Sequence, residues 1–388
     1  HQINCMKQLN ILTVVGARPQ IIKASALSRA IRRSFAGSIT ETLLHTGQHY
    51  DENMSAVFFE ELEIPTPDIN LNVGSGSHGT QTARMTEGIE KALIDLQPDM
   101  LVLYGDTNST LAGAIAAAKL NVRIAHIEAG LRSFNKSMPE EINRIVCDHC
   151  STFLFSPTRT GFNNLLREGF RPDNVPPYTP DNPAIFHCGD VMYDNSLYFS
   201  DIAQQTQHDD ISRRIGQKPF ILCTLHRNTN TDDPLRLNQI FSALVQIASH
   251  GQHNIYLPLH PRTRNVLESR LETELYRSIT KQSQLVLAPP ASFLEMIWLE
   301  KHADMVITDS GGVQKEAYFF RKPCIILRDE TEWTEIVEAG TALLAGSDEQ
   351  RISRAYSYFC ENIPVNFPSI FGDGKASEFI CRTLLDNA

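Results

Sequence analysis

The sequence predicts an α/β protein built from two doubly wound, Rossmann-like domains with a central cleft, and three observations lead there. At 388 residues the chain exceeds what one hydrophobic core usually organises. Short apolar runs bounded by turn residues alternate with longer stretches of helical period, the order expected of parallel strands joined by crossover helices. That rhythm runs through twice without a visible sequence repeat, so each half can build its own sheet. With 42% hydrophobic and 21% charged residues the composition excludes disorder and fibrous architecture.

In the first half the strand candidates are Ile11 to Val15, Thr42 to His45, Met100 to Tyr104, Ile124 to Ile127, Phe153 to Phe155 and Ile185 to Cys188. Directly after the first comes Gly16-Ala17-Arg18-Pro19-Gln20-Ile21-Ile22-Lys23, a glycine turn that opens a helix with two cations, Arg18 and Lys23, near its start. A helix N-terminus with nearby cations suits an anionic group. Asp106 follows the Met100 to Tyr104 strand and Glu128 follows the next, both at the end where ligands collect in such sheets. Glu140 and Glu141 then open a helix after Pro139, with Arg144 one turn on. One carboxylate there is ordinary helix capping, but acidic groups on successive strand-end loops point to general acid or base work. Residues 171 to 183 hold five prolines and read as an exposed loop before the last strand of this domain, which places the boundary near Gly189. The domains are then residues 1–189 and 190–369.

The second half offers Phe220 to Thr224, Asn254 to Leu259, Gln284 to Leu287, Met305 to Thr308, Cys324 to Leu327 and Thr341 to Leu344. His226 and His260 follow its first two strands, and two strand-end histidines in register suggest proton transfer or hydrogen bonding. After Met305 to Thr308 stands Asp309-Ser310-Gly311-Gly312-Val313-Gln314-Lys315-Glu316, where a hydroxyl and bare backbone amides at a helix start form a diphosphate cradle. Glu316, about two turns in, can accept hydrogen bonds from a ribose diol.

Other readings are excluded or demoted. A net charge of −10 and a pI near 5.7 give no basic footprint for nucleic acid or an anionic membrane. Apolar stretches such as Leu111 to Ala118 are soon interrupted by Lys119 and Arg123, far short of a membrane span. His1 to Cys5 lacks the apolar core of a signal peptide and Met6 is a candidate natural start, so a cytoplasmic protein is expected. Cys147-Asp148-His149-Cys150 matches C-x-x-C, but no second pair completes a metal set and it is read as a structural thiol pair. Gly74-Ser75-Gly76-Ser77-His78-Gly79 matches the dinucleotide fingerprint, yet it follows only the weak strand Asp68 to Val73. It is read as a mobile loop. No metal or cofactor is expected.

Taken in order, GARPQIIK, HTGQHYD, YGDTNST, HIEAGLRS, MPEEINR, CGDVMYD, TLHRN and TDSGGVQKEA, spanning residues 16 to 317, resemble the successive signatures of the non-hydrolysing UDP-GlcNAc 2-epimerases. The resemblance implies the two-domain GT-B arrangement, with a C-terminal helix (about 370–388) crossing back to the first domain, and a homodimer. It also implies a reaction in which UDP is eliminated with loss of the C2 proton to give a 2-acetamidoglycal, then added back with protonation on the other face. Matching positions nominate Asp106, Glu128, Glu140 and His226 as the acid/base set. Arg18, Lys23, His260, Ser310, Gly311, Gly312 and Glu316 match positions that hold the UDP-sugar, while Arg144 assists the leaving diphosphate.

The departures carry information too. Simple UDP-GlcNAc epimerases usually read GTRPE, HRRE and TERPE where this chain has GARPQ, LHRNT and TEWTE, the last at Thr331 to Glu335. These variants resemble the subgroup acting on UDP-2,3-diacetamido-2,3-dideoxy-glucuronic acid for surface polysaccharide such as O-antigen. Trp333 is read either as packing on an acetamido methyl or as a structural indole. Asp51 stands where a glutamine is typical of members regulated by a second UDP-GlcNAc near Gln48-His49, which speaks against that regulation here. Plain UDP-GlcNAc 2-epimerase is the runner-up. A GT-B glycosyltransferase or a non-catalytic UDP-sugar binder are the alternatives of another class.

Overall fold

The computed structural model describes residues 8–49 and 56–388, apart from the Arg262 side chain; Met6 and Asp51 therefore lie outside the described residues. The chain divides into two compact units, residues 1–195 with 369–388, and residues 196–368.

The first unit is built on seven parallel strands, β1 (Leu9–Val15), β2 (Ile39–His45), β3 (Ile69–Asn70), β4 (Met100–Tyr104), β5 (Arg123–Ile127), β6 (Phe153–Ser156) and β7 (Ala184–His187). They lie in the order β3-β2-β1-β4-β5-β6-β7. Central strands read as continuous apolar runs because helices cover both faces, and all five residues of β4 are buried. The strand order reverses between β1 and β4, and at such a reversal the two following loops diverge to opposite faces and leave a crevice. Arg18 and Asp106 open from those two loops.

The second unit repeats the plan with β8 (Phe220–Thr224), β9 (Asn254–Pro258), β10 (Leu285–Ala288), β11 (Met305–Thr308), β12 (Cys324–Ile326) and β13 (Ala342–Leu344) in the order β10-β9-β8-β11-β12-β13, again all parallel. Its core joins Ile221, Cys223, Ile307 and Ile325 of the sheet to Leu237, Phe241 and Leu244 of the helix Pro234–Ser249. Here the reversal falls between β8 and β11, which places the loops carrying His226 and Ser310 side by side.

All twelve expected strands are present, with ends shifted by up to three residues. The weak strand read at 68–73 contracts to the two residues of β3, which pair only with Leu44 and His45 at the sheet edge. Because β3 is an edge strand, the glycine loop after it is far in sheet order from the β1/β4 reversal that a dinucleotide would use. That loop is tied down at Gly74, whose amide donates to the Gly47 carbonyl at 2.8 Å and whose carbonyl accepts from Gln81 at 3.0 Å. Ser77 then caps the helix His78–Leu96. Residues 171–183 form an exposed loop.

The helix Ala376–Asp386 packs against the helix Arg18–Ala30. Its start is capped by Asp194, whose carboxylate accepts from the amides of Ala376 and Ser377 at 3.1 and 2.8 Å. Cys147 and Cys150 are free thiols within the helix Pro139–Cys150, the first fully buried among Leu101, Leu103 and Ile124. None of the described helices is long and apolar enough to cross a membrane.

The turn after β1 depends on the absence of a side chain at Gly16, where a Cβ would lie 1.9 Å from Ser109 Oγ and 2.7 Å from Thr46 Oγ1. Both hydroxyls are buried and bonded to each other at 2.8 Å, so neither can step aside cheaply. Gly16→Ala is expected to cost about 2 kcal/mol or more, as overpacking does, whereas Gly37→Ala, with open space around it, stays within about 0.5 kcal/mol. Urea denaturation of the two variants checks the contrast.

Candidate active site

In the first unit the β1 turn and the β4 turn are locked together by Gln20. Its side-chain oxygen accepts from the Gly16 amide at 2.7 Å, and its nitrogen donates to the Tyr104 carbonyl at 2.8 Å and to Thr107 Oγ1 at 3.0 Å. Gln20 is buried and occupied by these bonds. The Q of GARPQ therefore braces the two turns. The amide supplies the donor that bonds the Tyr104 carbonyl in this chain.

Lys23 lies one turn into the helix Arg18–Ala30, and its ammonium reaches Glu128 Oε1 at 2.7 Å. Burial pulls the Lys23 ammonium down, but the charge and hydrogen bond of Glu128, helped by Asp106 and Asp190, outweigh it and leave Lys23 above its ordinary range. Glu128 itself has φ +73°, in the left-handed region that a non-glycine residue enters at a cost of roughly 1–2 kcal/mol. Such strain is kept where the surroundings over-determine it, and it aims this carboxylate at Lys23.

Asp106 pairs with Arg144 at 2.6 Å, while the Asn143 amide donates to the Asp106 backbone carbonyl at 2.9 Å. Burial pushes the Asp106 carboxyl above the usual range; Arg144 and Lys23 oppose that shift and the negative charges of Glu128 and Glu140 add to it. Glu140 is exposed on the first turn of its helix. Its neighbour Glu141 is the buried one, accepting from the amides of Ser133 and Phe134 and from Arg144 Nε at 3.3 Å. Glu141 thus shapes the loop and aims Arg144. Arg18 stacks over the Phe58 ring at 4.9 Å, and its Nε is buried without a hydrogen-bond partner. Within this unit Lys23, Asp106, Glu128, Glu140 and Arg144 form one electrostatic cluster.

In the second unit the organising residue is Asp309, which is fully buried at the end of β11. Its carboxylate accepts from the backbone amides of His226 at 3.2 Å and Arg227 at 3.0 Å and from the Asn230 amide group at 3.1 Å. The His226 ring stays 60% exposed, with Nδ1 3.5 Å from Asp309. Ser310 caps the helix Gly311–Phe319 by accepting from the Val313 amide. A Cβ at Gly311 would approach Glu332 Oε1 to 2.1 Å and displace that side chain. Gly312 is exposed beside it and leaves its amide uncovered. His260 is exposed at the end of β9, next to the strand that ends in His226.

Trp333 is buried, and its indole N–H donates to the Gly311 carbonyl at 3.0 Å while Lys315 sits over its ring at 4.7 Å. It supports the cradle from behind, the structural of its two readings. Behind Glu316 lies Glu300, fully buried, with neither oxygen offered a hydrogen-bond donor. Burial, then the charge of Glu316, push the Glu300 carboxyl well above the usual range. Burial therefore favours the neutral form of Glu300, which removes the repulsion with Glu316.

A test of that proton follows from linkage. The unfolded chain releases the Glu300 proton from about pH 4.3 upward, while the native state retains it to higher pH. Native Glu300 therefore binds more protons than unfolded Glu300 over that window, and stability falls as pH rises through it. Glu300→Gln keeps a donor toward Glu316 and removes the ionisation. It is expected to be more stable than the parent at pH 8 by on the order of 1 kcal/mol and to match it near pH 4. Melting curves at the two pH values measure the difference.

Sequence reasoning missed Gln20, Glu141, Asp309 and Glu300 as organisers, although Asp309 stands in the motif that supplied Ser310.

The model of the UDP-N-acetylglucosamine 2-epimerase family matches residues 32–385. A protein of Pseudomonas aeruginosa named UDP-2,3-diacetamido-2,3-dideoxy-D-glucuronate 2-epimerase is 46% identical over 97% of this chain and 99% of its own. A UDP-N-acetylglucosamine 2-epimerase homolog of Methanococcus maripaludis is 45% identical with the same coverage. Among solved structures, the UDP-GlcNAc 2-epimerase of Methanocaldococcus jannaschii in complex with UDP-GlcNAc and UDP matches with a TM-score of 0.79 and 40% identity, covering 97% of this chain and 99% of that one.

Proposed function

The chain belongs to the UDP-N-acetylglucosamine 2-epimerase family, and from that premise we propose that it interconverts the gluco and manno epimers of UDP-2,3-diacetamido-2,3-dideoxyglucuronate. The C2 proton leaves as the C1–O bond to UDP breaks, giving a 2-acetamidoglycal and UDP. UDP then returns to C1 as a proton arrives at C2 on the opposite face. The observation that carries this reading is the carboxylate pair at the ends of β4 and β5: Glu128, strained toward a cation, and Asp106, raised toward neutrality within reach of Arg144. A carboxylate held against a cation beside a carboxyl that burial raises suits the removal of a proton from one face and its delivery to the other.

In this proposal Asp106, Glu128, Glu140 and His226 handle protons. Ser310, Gly311 and Gly312 present amides to the diphosphate and Glu316 takes the ribose diol, while Arg18, Lys23, Arg144 and His260 offset the charge that grows on departing UDP. The acidic sugar is supported by the name of the Pseudomonas relative. UDP-GlcNAc is the second substrate to consider, supported by the name of the Methanococcus relative. A homodimer in the cytoplasm serving surface-polysaccharide synthesis completes the proposal, and light scattering after gel filtration reads the dimer.

Incubation with each UDP-sugar in deuterated water tests the reaction and the substrate together. Deuterium at C2 and appearance of the manno epimer from the diacetamido uronic acid, with slower exchange of UDP-GlcNAc, is the expected result. Exchange of UDP-GlcNAc alone overturns the substrate, and exchange of neither overturns the function.

A further inference from the structure

His126 and Asp148 are fully buried and take no part in the chemistry above. His126 stands on β5 two residues before Glu128; Asp148 belongs to the Cys147-to-Cys150 stretch of the helix Pro139–Cys150. His126 Nδ1 lies 2.6 Å from Asp148 Oδ1, and Nε2 lies 2.8 Å from the Gly105 carbonyl oxygen. A carbonyl only accepts, so Nε2 carries a proton. Asp148 Oδ2 also accepts from the Gly130 amide at 3.0 Å and from Arg132 at 2.8 Å, two donors that favour an ionised carboxylate. Nδ1 therefore carries a proton as well, and the ring is an imidazolium.

The bonds of this pair end on two particular peptides. Gly105 precedes Asp106, and Gly130 is two residues beyond Glu128. We propose that His126 and Asp148 are positioning residues whose buried imidazolium–carboxylate pair clamps the Gly105 and Gly130 peptides and so fixes the spacing and direction of Asp106 and Glu128.

Other groups around the ring agree with its charge. Burial opposes protonation, but Cys147 and Asp148 on the facing helix outweigh it and hold His126 well above its ordinary range. Asp148 is in turn held below the usual carboxylate range, burial being outweighed by His126 and Arg132. Arg132 also pairs with Glu168 at 2.7 Å, so the carboxylates of Asp148 and Glu168 together offset the charges of His126 and Arg132. A strained turn such as that at Glu128 keeps its conformation only under such restraint.

The inference rests on the proposed roles of Asp106 and Glu128, and its test separates the two. Nitrogen-15 NMR of the histidine-labelled parent protein at pH 9 is expected to show one imidazole with both nitrogens protonated, absent from the His126→Gln, Asp148→Asn double variant. A spectrum without that imidazolium overturns the inference and leaves the function untouched. Asp148→Asn is expected to lower kcat about 10²-fold, as a misplaced catalytic group does, with KM for the UDP-sugar held within about threefold because ground-state binding is not altered. The double variant leaves no uncompensated buried charge and is expected to show the same split should the single variant fold poorly. A folded variant with the parent's kcat overturns the clamp, whereas a parent protein that exchanges no sugar proton, with its imidazolium intact, overturns only the proposed function.

Discussion

Glu128→Gln is expected to abolish incorporation of solvent deuterium at C2 and to lower kcat by about 10³-fold or more, while UDP alone binds nearly as tightly as before. The magnitude follows from what general acid–base groups contribute, about 10²–10⁴-fold, when the substituted side chain keeps its shape and loses its proton chemistry. The geometry sharpens the expectation. Glu128 occupies a backbone conformation costing roughly 1–2 kcal/mol, and it spends its charge on Lys23 at 2.7 Å. A residue that only joined two loops has no need of that strain. Since Glu128 is one of the charges that raise Asp106, the same substitution lets the Asp106 carboxyl fall toward its ordinary range. The alkaline limb of any residual activity then moves to lower pH, because the group that must hold a proton gives it up earlier. A variant with the parent's exchange rate, or with an unmoved alkaline limb, counts against Glu128 as the proton-transfer group.

The strands and strand-end residues were legible because each physical cause writes itself locally. A parallel strand buried on both faces must be a continuous apolar run, and the turn that follows it must contain residues able to leave the sheet, so Met100 to Tyr104 and the Gly105-Asp106 that follows announce themselves. β3 was legible only as a weak strand with the wrong length, since two residues at a sheet edge bury too little to impose a pattern. Glu140 and Glu141 could not be told apart for a related reason. The inward face of their helix is polar, with Glu141, Asn143, Cys147 and Asp148 buried while Ile142 is 41% exposed, so apolar periodicity assigns the wrong phase. Gln20 and Trp333 were legible only in part. Both depart from the usual motif, and a departure beside a site invites a substrate explanation. Only the partners of their polar atoms, 84 and 22 residues away at the end of β4 and the start of the helix Gly311–Phe319, reveal that they brace the backbone. The same holds for the bond between His126 and Asp148. Long-range pairings of side chain with backbone are absent from any window of sequence.

Asp309→Ala is expected to destabilise the second unit and to weaken UDP binding together, because one carboxylate holds two functions. Its oxygens satisfy the amides of His226 and Arg227 and the Asn230 side chain at 3.0–3.2 Å in a fully buried setting. Removing it orphans those donors, and each buried donor left unsatisfied costs about 1–3 kcal/mol, partly relieved by the water the cavity admits. A loss of about 3 kcal/mol is a fall in Tm on the order of 6–12 °C for a unit of this size. The His226 loop and the Ser310 cradle lean on each other through this residue at the β8/β11 reversal, where Thr224 and Thr308 also bond at 2.5 Å. Release of the loop blurs the cradle's amides, and UDP affinity is expected to drop about 10²-fold, the scale of several charge-assisted bonds losing alignment. Asp309→Asn keeps one acceptor and turns a donor toward other donors, so it falls between the parent and the alanine variant in both measurements. Calorimetric titration with UDP beside a thermal melt reads the two effects. Affinity retained despite a lowered Tm separates them and assigns Asp309 to the fold alone.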